Sequence, residues 1–188
     1  INSFRNDHGL TSVALASDLS ALAQVHVDDM VNNNFFAHIN LDGDSPNDRR
    51  VAAGIKTYVG ENISKTSTVR HAHEGFLRSA IHRKNIMRSD WTRVGLGVAK
   101  DRDGYLLLAQ EFSTDSTYLY NKLIDAIDNE RGIDVIIDSD LQEVAEDWTD
   151  LMISEDFFDT SYQGSTIFEG TDINSSYSTA RAFIINGS

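Results

Sequence analysis

The sequence predicts an α+β domain over residues 1–119, with helices framing a small antiparallel sheet. An acidic, truncated and degenerate helical repeat of its first half is expected over 120–188. Three observations lead there: an amphipathic helical stretch ending near position 33, a hairpin pattern between 94 and 112, and a step in charge near Tyr118–Asn121.

Asp18 suits an N-cap, and Leu19, Leu22, Ala23, His26 and Met30 follow at i, i+3, i+4, i+7 and i+11, so a helix is expected to about Asn33. His26 falls on that apolar stripe and is expected in the core. Phe35 and Phe36 plug back into the core ahead of His38. Ser45-Pro46 opens a short helix closed by Gly54. A strand is expected over 56–64 and a helix over 69–80, with Val69, Ala72, Phe76 and Ala80 buried. The hairpin pairs 94–99 with 105–112 around a turn at Asp101–Gly104.

Net charge is −13, and it is unevenly placed. Residues 1–120 carry 13 basic and 14 acidic side chains, whereas 121–188 carry 3 and 15. Such a tail repels phosphate, which argues against nucleic acid and anionic lipid as partners. No apolar run approaches the ~18–20 residues that span a bilayer, so no membrane insertion is expected. The absence of cysteine removes disulfides, thiolate metal sites and cysteine nucleophiles. The chain opens on Ile1 with no apolar leader, as a processed secreted chain or a trimmed one would.

Residues 17–36 match 139–158 at a constant offset of 122, with 8 of 20 positions identical where about one is expected by chance. The second copy lacks the strand, helix and hairpin that follow in the first. Thr160 stands where the first copy has His38. The acidic copy is expected to act as a docking surface, and a homo-oligomer formed through it is one consequence.

Four residues carry candidate chemistry. They are His38 after Phe35-Phe36-Ala37, Glu61 in Gly60-Glu61-Asn62-Ile63, Glu74 in His73-Glu74-Gly75-Phe76, and His82 in Ile81-His82-Arg83-Lys84-Asn85-Ile86. Taken in order, and closed by the Gln110-Glu111-Phe112 end of the hairpin, these motifs resemble the bacterial SCP-like branch of the CAP superfamily (cysteine-rich secretory protein, antigen 5, pathogenesis-related 1). The resemblance covers nearly all of residues 1–113. It implies a three-layer α-β-α sandwich, an extracellular or cell-surface location, and a shallow cleft. There His38 and His82 would bind a divalent metal, zinc by preference, with Glu61 and Glu74 beside them. Such relatives commonly carry Ser-Pro-Gly before the second histidine, where this chain has Ser79-Ala80-Ile81, and Trp where it has Phe76.

Two neutral imidazoles bind Zn²⁺ but leave an open site completed by water. A carboxylate beside that water acts as general base, or it hydrogen-bonds an imidazole N–H and fixes its tautomer. Glu74 and Glu61 are therefore candidate catalytic residues of a metal-assisted peptidase or esterase. A binding or effector module, holding a small molecule, lipid or peptide in the cleft, is the first expectation, and a structural module is the third. On an unbroken helix Glu74 and His82 would stand ~80° out of line, so their convergence needs a break between them. Glu74 and Arg78 also make an ordinary i, i+4 surface pair. A serine triad is excluded by the lack of a G-x-S-x-G elbow and of an acid placed to orient the histidine. Asp42, Asp44 and Asp48 lack the glycine and glutamate of a calcium loop.

Overall fold

The computed structural model describes residues 1–132, 139–154, 161–162 and 165–166. Two compact units divide the chain, residues 1–126 and 127–188. In the first, α1 (Asn2–Asp7) and β1 (Ala14–Leu15) precede the long α2 (Ser17–Asn32). There follow α3 (Pro46–Ala52), β2 (Val59–Thr66), α4 (Val69–Arg78), α5 (Ala80–Ile86), β3 (Arg93–Lys100) and β4 (Leu106–Ser113). The four strands form one sheet in the order β1-β3-β4-β2. The pairings of β4 with β2 and β3 are antiparallel, and the two-residue β1 lies parallel to β3.

Side chains alternate across the sheet, so each strand serves two layers. Val59, Ile63, Leu107 and Ala109 face α2, where they meet Leu19, Leu22, Ala23, Val27 and Met30. Val94 and Phe112 face the other way, against Ala72 and Phe76 of α4 and Ile86 of α5, with Trp91 completing that core. The result is the α-β-α sandwich. His26 is fully buried, as the apolar stripe of α2 requires.

The approach of α2 to the sheet is set by two glycines. A Cβ built at Gly95 would stand 2.0 Å from the Leu19 carbonyl carbon, and one at Gly97 would stand 2.4 Å from that of Ala23. The bare strand lets the helix backbone lie directly on it. Beyond the short β1 the rim of β3 has no strand partner among the described residues, and α2 side chains take over. Ser20 Oγ accepts from Leu96 N–H (3.3 Å), Gln24 Oε1 accepts from Val98 N–H (3.1 Å), and Gln24 Nε2 donates to the Val98 carbonyl (3.1 Å).

Arg5 is the largest buried cation. Its guanidinium donates to the carbonyls of Thr11, Ile86, Arg88 and Trp91, which clamps the N-terminal segment to the end of α5 and the loop after it.

In the second unit α7 spans Ser139–Ser154. Its 16 residues begin and end 122 positions after those of α2, and Trp148 is buried. The helix α6 (Ser116–Arg131) runs across the division, and β5 (Ser161–Tyr162) pairs with β6 (Ser165–Thr166). Phe157, Phe158 and Thr160 of the repeated stretch lie outside the described residues.

Candidate functional site

The site gathers along β2, an outer strand of the sheet, and the period of two explains its layout. Glu61 and Asn62 are neighbours, so they point to opposite faces. Glu61 points to the α2 side, where the chain leaving α2 presents His38. Asn62 points to the α4–α5 side, where its Nδ2 donates to the His82 carbonyl (3.2 Å) and to Gln110 Oε1 (3.1 Å). Asn85 Nδ2 donates to Asn62 Oδ1 (3.1 Å), and Trp91 Nε1 donates to the Asn85 carbonyl (2.9 Å). The Glu61-Asn62 dipeptide thus fixes the His38 ring through one side chain and the His82 backbone through the next.

The break between Glu74 and His82 falls at Ser79, whose extended backbone (φ −76°, ψ 121°) ends α4 and starts α5. Neither proline nor glycine is needed, because both short helices still close on Ser79: its N–H donates to the Gly75 carbonyl (3.0 Å) and its carbonyl accepts from Arg83 N–H (2.8 Å). The His82 ring packs at 5.3 Å, centroid to centroid, against Phe76. Burial, and then the charge that His38 can carry, lower the His82 pKa, so His82 is a neutral imidazole at pH 7.

Glu61 is the hub of the other side. Its side chain is 1% exposed while that of His38 is 50% exposed. Glu61 Oε1 lies 2.6 Å from His38 Nδ1, and Glu61 Oε2 accepts from Arg49 Nη2 at 2.7 Å. Burial by itself raises the Glu61 pKa. The His38 hydrogen bond, the contact with Glu111, the neighbouring His26 ring and the Arg49 charge outweigh it and hold Glu61 below the ordinary carboxyl range. Glu61 is therefore an ionised acceptor, so His38 Nδ1 must be the donor, and the lone pair of the neutral ring then sits on Nε2. Arg49 also donates to the His38 carbonyl (2.8 Å) and the Asp44 carbonyl (3.0 Å), tying the loop to the strand. Replacing Arg49 with lysine removes that planar fork. The expected cost is about 2 kcal/mol in urea unfolding, with faster amide exchange over residues 37–44; unchanged exchange would show that the loop is held by something else.

The structure brings His38, Glu61 and His82 to one strand. For Glu74 the contact seen is within its own helix: its carboxylate pairs with Arg78 Nη2 at 3.2 Å on α4, half-exposed, and its charge acts on His73. Among the described residues no group of three or more His, Asp or Glu side chains is arranged to hold a metal ion. The donors that could serve a cation are two imidazole nitrogens, because both Glu61 oxygens are already engaged. An apolar cavity of about 560 Å³ lies elsewhere, between α4 and the sheet, lined by Val69, Phe76, Leu96, Val98 and Leu108 and by none of the four candidate residues.

Arg49, Asn62, Asn85, Gln110 and Glu111 escaped sequence reasoning as site residues. The signal was present for all but Arg49, since each of the others sits inside a recognised motif. What the motifs hid was that their amides bind one another.

Comparison with known proteins agrees with this architecture. At 35% identity over 106 residues, the chain is similar to the uncharacterized membrane protein YlbC of Bacillus subtilis (strain 168), covering 55% of this chain and 30% of that protein. It is similar at 34% over 99 residues to the uncharacterized protein YkwD of the same organism, covering 51% of this chain and 38% of that protein. The chain thus spans less than two fifths of the length of either relative. An extracellular protein containing a SCP domain from Bacillus anthracis superposes with a TM-score of 0.56 at 29% identity, over 61% of this chain and 37% of that one. An outer surface protein from Borrelia burgdorferi shares the fold, with a TM-score of 0.57 at 16% identity, over 61% of this chain and 86% of that one. No helix among the described residues is long and apolar enough to cross a membrane. The sequence model of the cysteine-rich secretory protein family, CAP, matches residues 1–113, and with the sandwich and motifs described above the chain belongs to that family.

Proposed function

We propose that this chain is the ligand-holding domain of an extracellular or cell-surface protein, and that its cleft takes one divalent cation through His38 Nε2 and an imidazole nitrogen of His82. The surface setting is supported by the extracellular and outer-surface proteins that share the fold. One observation carries the cation reading: the 2.6 Å contact that commits His38 Nδ1 to Glu61 and leaves Nε2 free. A carboxylate behind an imidazole is the arrangement that orients a metal-binding histidine. Zinc suits imidazole nitrogen best among the common divalent ions, and two protein donors leave the remaining positions to water or to a ligand.

Binding is favoured over turnover. Glu61 is buried with both oxygens engaged, Glu74 is paired with Arg78, and catalytic zinc has three protein ligands. Both Glu61 oxygens are taken, and one Glu74 oxygen is held by Arg78.

Calorimetric titration with Zn²⁺ tests the reading. Saturable uptake at one site is expected, lost in His38→Ala and in His82→Ala. It should weaken about 10–100-fold in Glu61→Gln and stay unchanged in Glu74→Gln. Uptake indifferent to His82→Ala would overturn the two-histidine site. Turnover of a peptide or ester panel that needed Glu74 would restore the hydrolase.

A further inference from the structure

Glu111 is a buried carboxyl group that the proposed cation site does not use. It is fully buried on β4 and stands directly opposite Glu61 in the β2–β4 register, on the α2 side of the sheet. Among the described residues, neither of its oxygens has a hydrogen-bond donor in reach. The carboxyl it faces across the strand pair is that of Glu61, itself an acceptor.

The groups packed around the pair do not supply a second positive charge. Arg49 is already matched by Glu61. His38 gives its Nδ1 proton to Glu61, and His26 Nε2 lies 3.0 Å from the Ala37 carbonyl. Burial, and then the Glu61 charge, push the Glu111 carboxyl up to about 10. Two ionised carboxylates facing each other in a buried site repel. One proton between them turns the same contact into a hydrogen bond.

We propose that Glu111 is a positioning residue: a buried carboxylic acid that keeps its proton at neutral pH, donates it to Glu61, and fixes from behind the carboxylate that orients His38. Glu61 then accepts from three donors, His38 Nδ1–H, Arg49 Nη2–H and the Glu111 hydroxyl, and the two carboxyls together carry one negative charge. His38 keeps its Nε2 lone pair turned to the cleft whatever the cleft binds. The assignment shares the His38–Glu61 contact with the cation reading but does not depend on a cation.

The test uses the full chain, freed of metal by chelator. Infrared spectroscopy of protein carrying ¹³C-labelled glutamate is expected to show a protonated-carboxyl C=O band at pH 7 that disappears in Glu111→Gln. In ¹⁵N spectra of the histidine rings, Glu111→Gln, which still donates an N–H to Glu61, should preserve the His38 Nδ1–H signal. Glu111→Leu, which cannot donate, should lose or broaden it. Absence of the band at pH 7, or its survival in Glu111→Gln, overturns the proposal. So does a His38 signal identical in the Gln and Leu variants. The infrared comparison needs only wild type and Glu111→Gln, so the question is decided even if the Leu variant does not fold. Loss of zinc uptake with the band intact would sink the cation site alone.

Discussion

Replacing Gly95 with alanine is expected to cost at least about 3 kcal/mol and to lower the melting temperature by about 10 °C. The new methyl group would lie 2.0 Å from the Leu19 carbonyl carbon and 2.3 Å from its oxygen, both backbone atoms in the middle of a helical turn. No rotamer change relieves such a clash. The whole of α2 must lift from the sheet, opening gaps around Leu19, Ala23 and Val27, all of which are fully buried. Urea unfolding followed by circular dichroism reads the loss. A cost under about 1 kcal/mol, the size of an ordinary substitution, would mean that the helix rides higher over β3 than described. Because α2 also carries His26 and leads into the His38 loop, the damaged sheet contact should loosen the site as well.

Replacing Glu111 with glutamine is expected to have the opposite sign. A carboxyl whose folded pKa is raised binds its proton more tightly in the folded chain than in the unfolded one. Its favourable contribution is therefore complete below the ordinary pKa of 4.5 and is lost progressively as pH rises toward the folded value of about 10. Each pH unit inside that window removes about 1.4 kcal/mol per proton. Glutamine keeps a donor toward Glu61 and has no proton to lose. The variant should therefore be roughly 2–4 kcal/mol more stable than wild type at pH 8, with the advantage shrinking toward pH 5. Urea unfolding of both proteins from pH 5 to 9 gives the difference directly, since groups common to both cancel. A difference that stayed flat with pH would mean that Glu111 is ionised in the folded chain.

The elements announced themselves where side-chain periodicity was strong. The apolar stripe of α2 led to a helix capped by Asp18 and running to about Asn33; it runs over Ser17–Asn32, with Ala16 at the N-cap and Asp18 inside the first turn. The hairpin expected at 94–99 and 105–112 spans Arg93–Lys100 and Leu106–Ser113. The two-residue β1 and the six-residue α1 carry too few residues to show a period, and Arg5, which anchors them, reads as an ordinary surface cation until its four carbonyl partners are known. The helix expected over 69–80 is α4, which ends at Arg78, and the break that convergence required before His82 falls just after it. Ser79 interrupts the chain without any residue that forces a break, since tertiary packing of Phe76 and Ile86 decides there rather than local propensity. At the site, the motifs identified His38, Glu61 and His82 one by one. That Glu61 lies behind His38, with Arg49 on one oxygen and Glu111 across the strand pair, depends on register. Register couples positions fifty apart, and no local pattern reports it.

The rim of β3 carries one last consequence. A sheet border with free amides invites another chain to add a strand, the route by which β-proteins polymerise. Here Ser20 occupies the outward amide of Leu96 and Gln24 both outward groups of Val98, although both strand residues are near half exposed and apolar. Two polar side chains on a helix thus act as a stopper for an otherwise adhesive surface. Substituting both with alanine should leave the fold in place and shorten the protein's lifetime in concentrated solution, because templated growth would then have a place to begin.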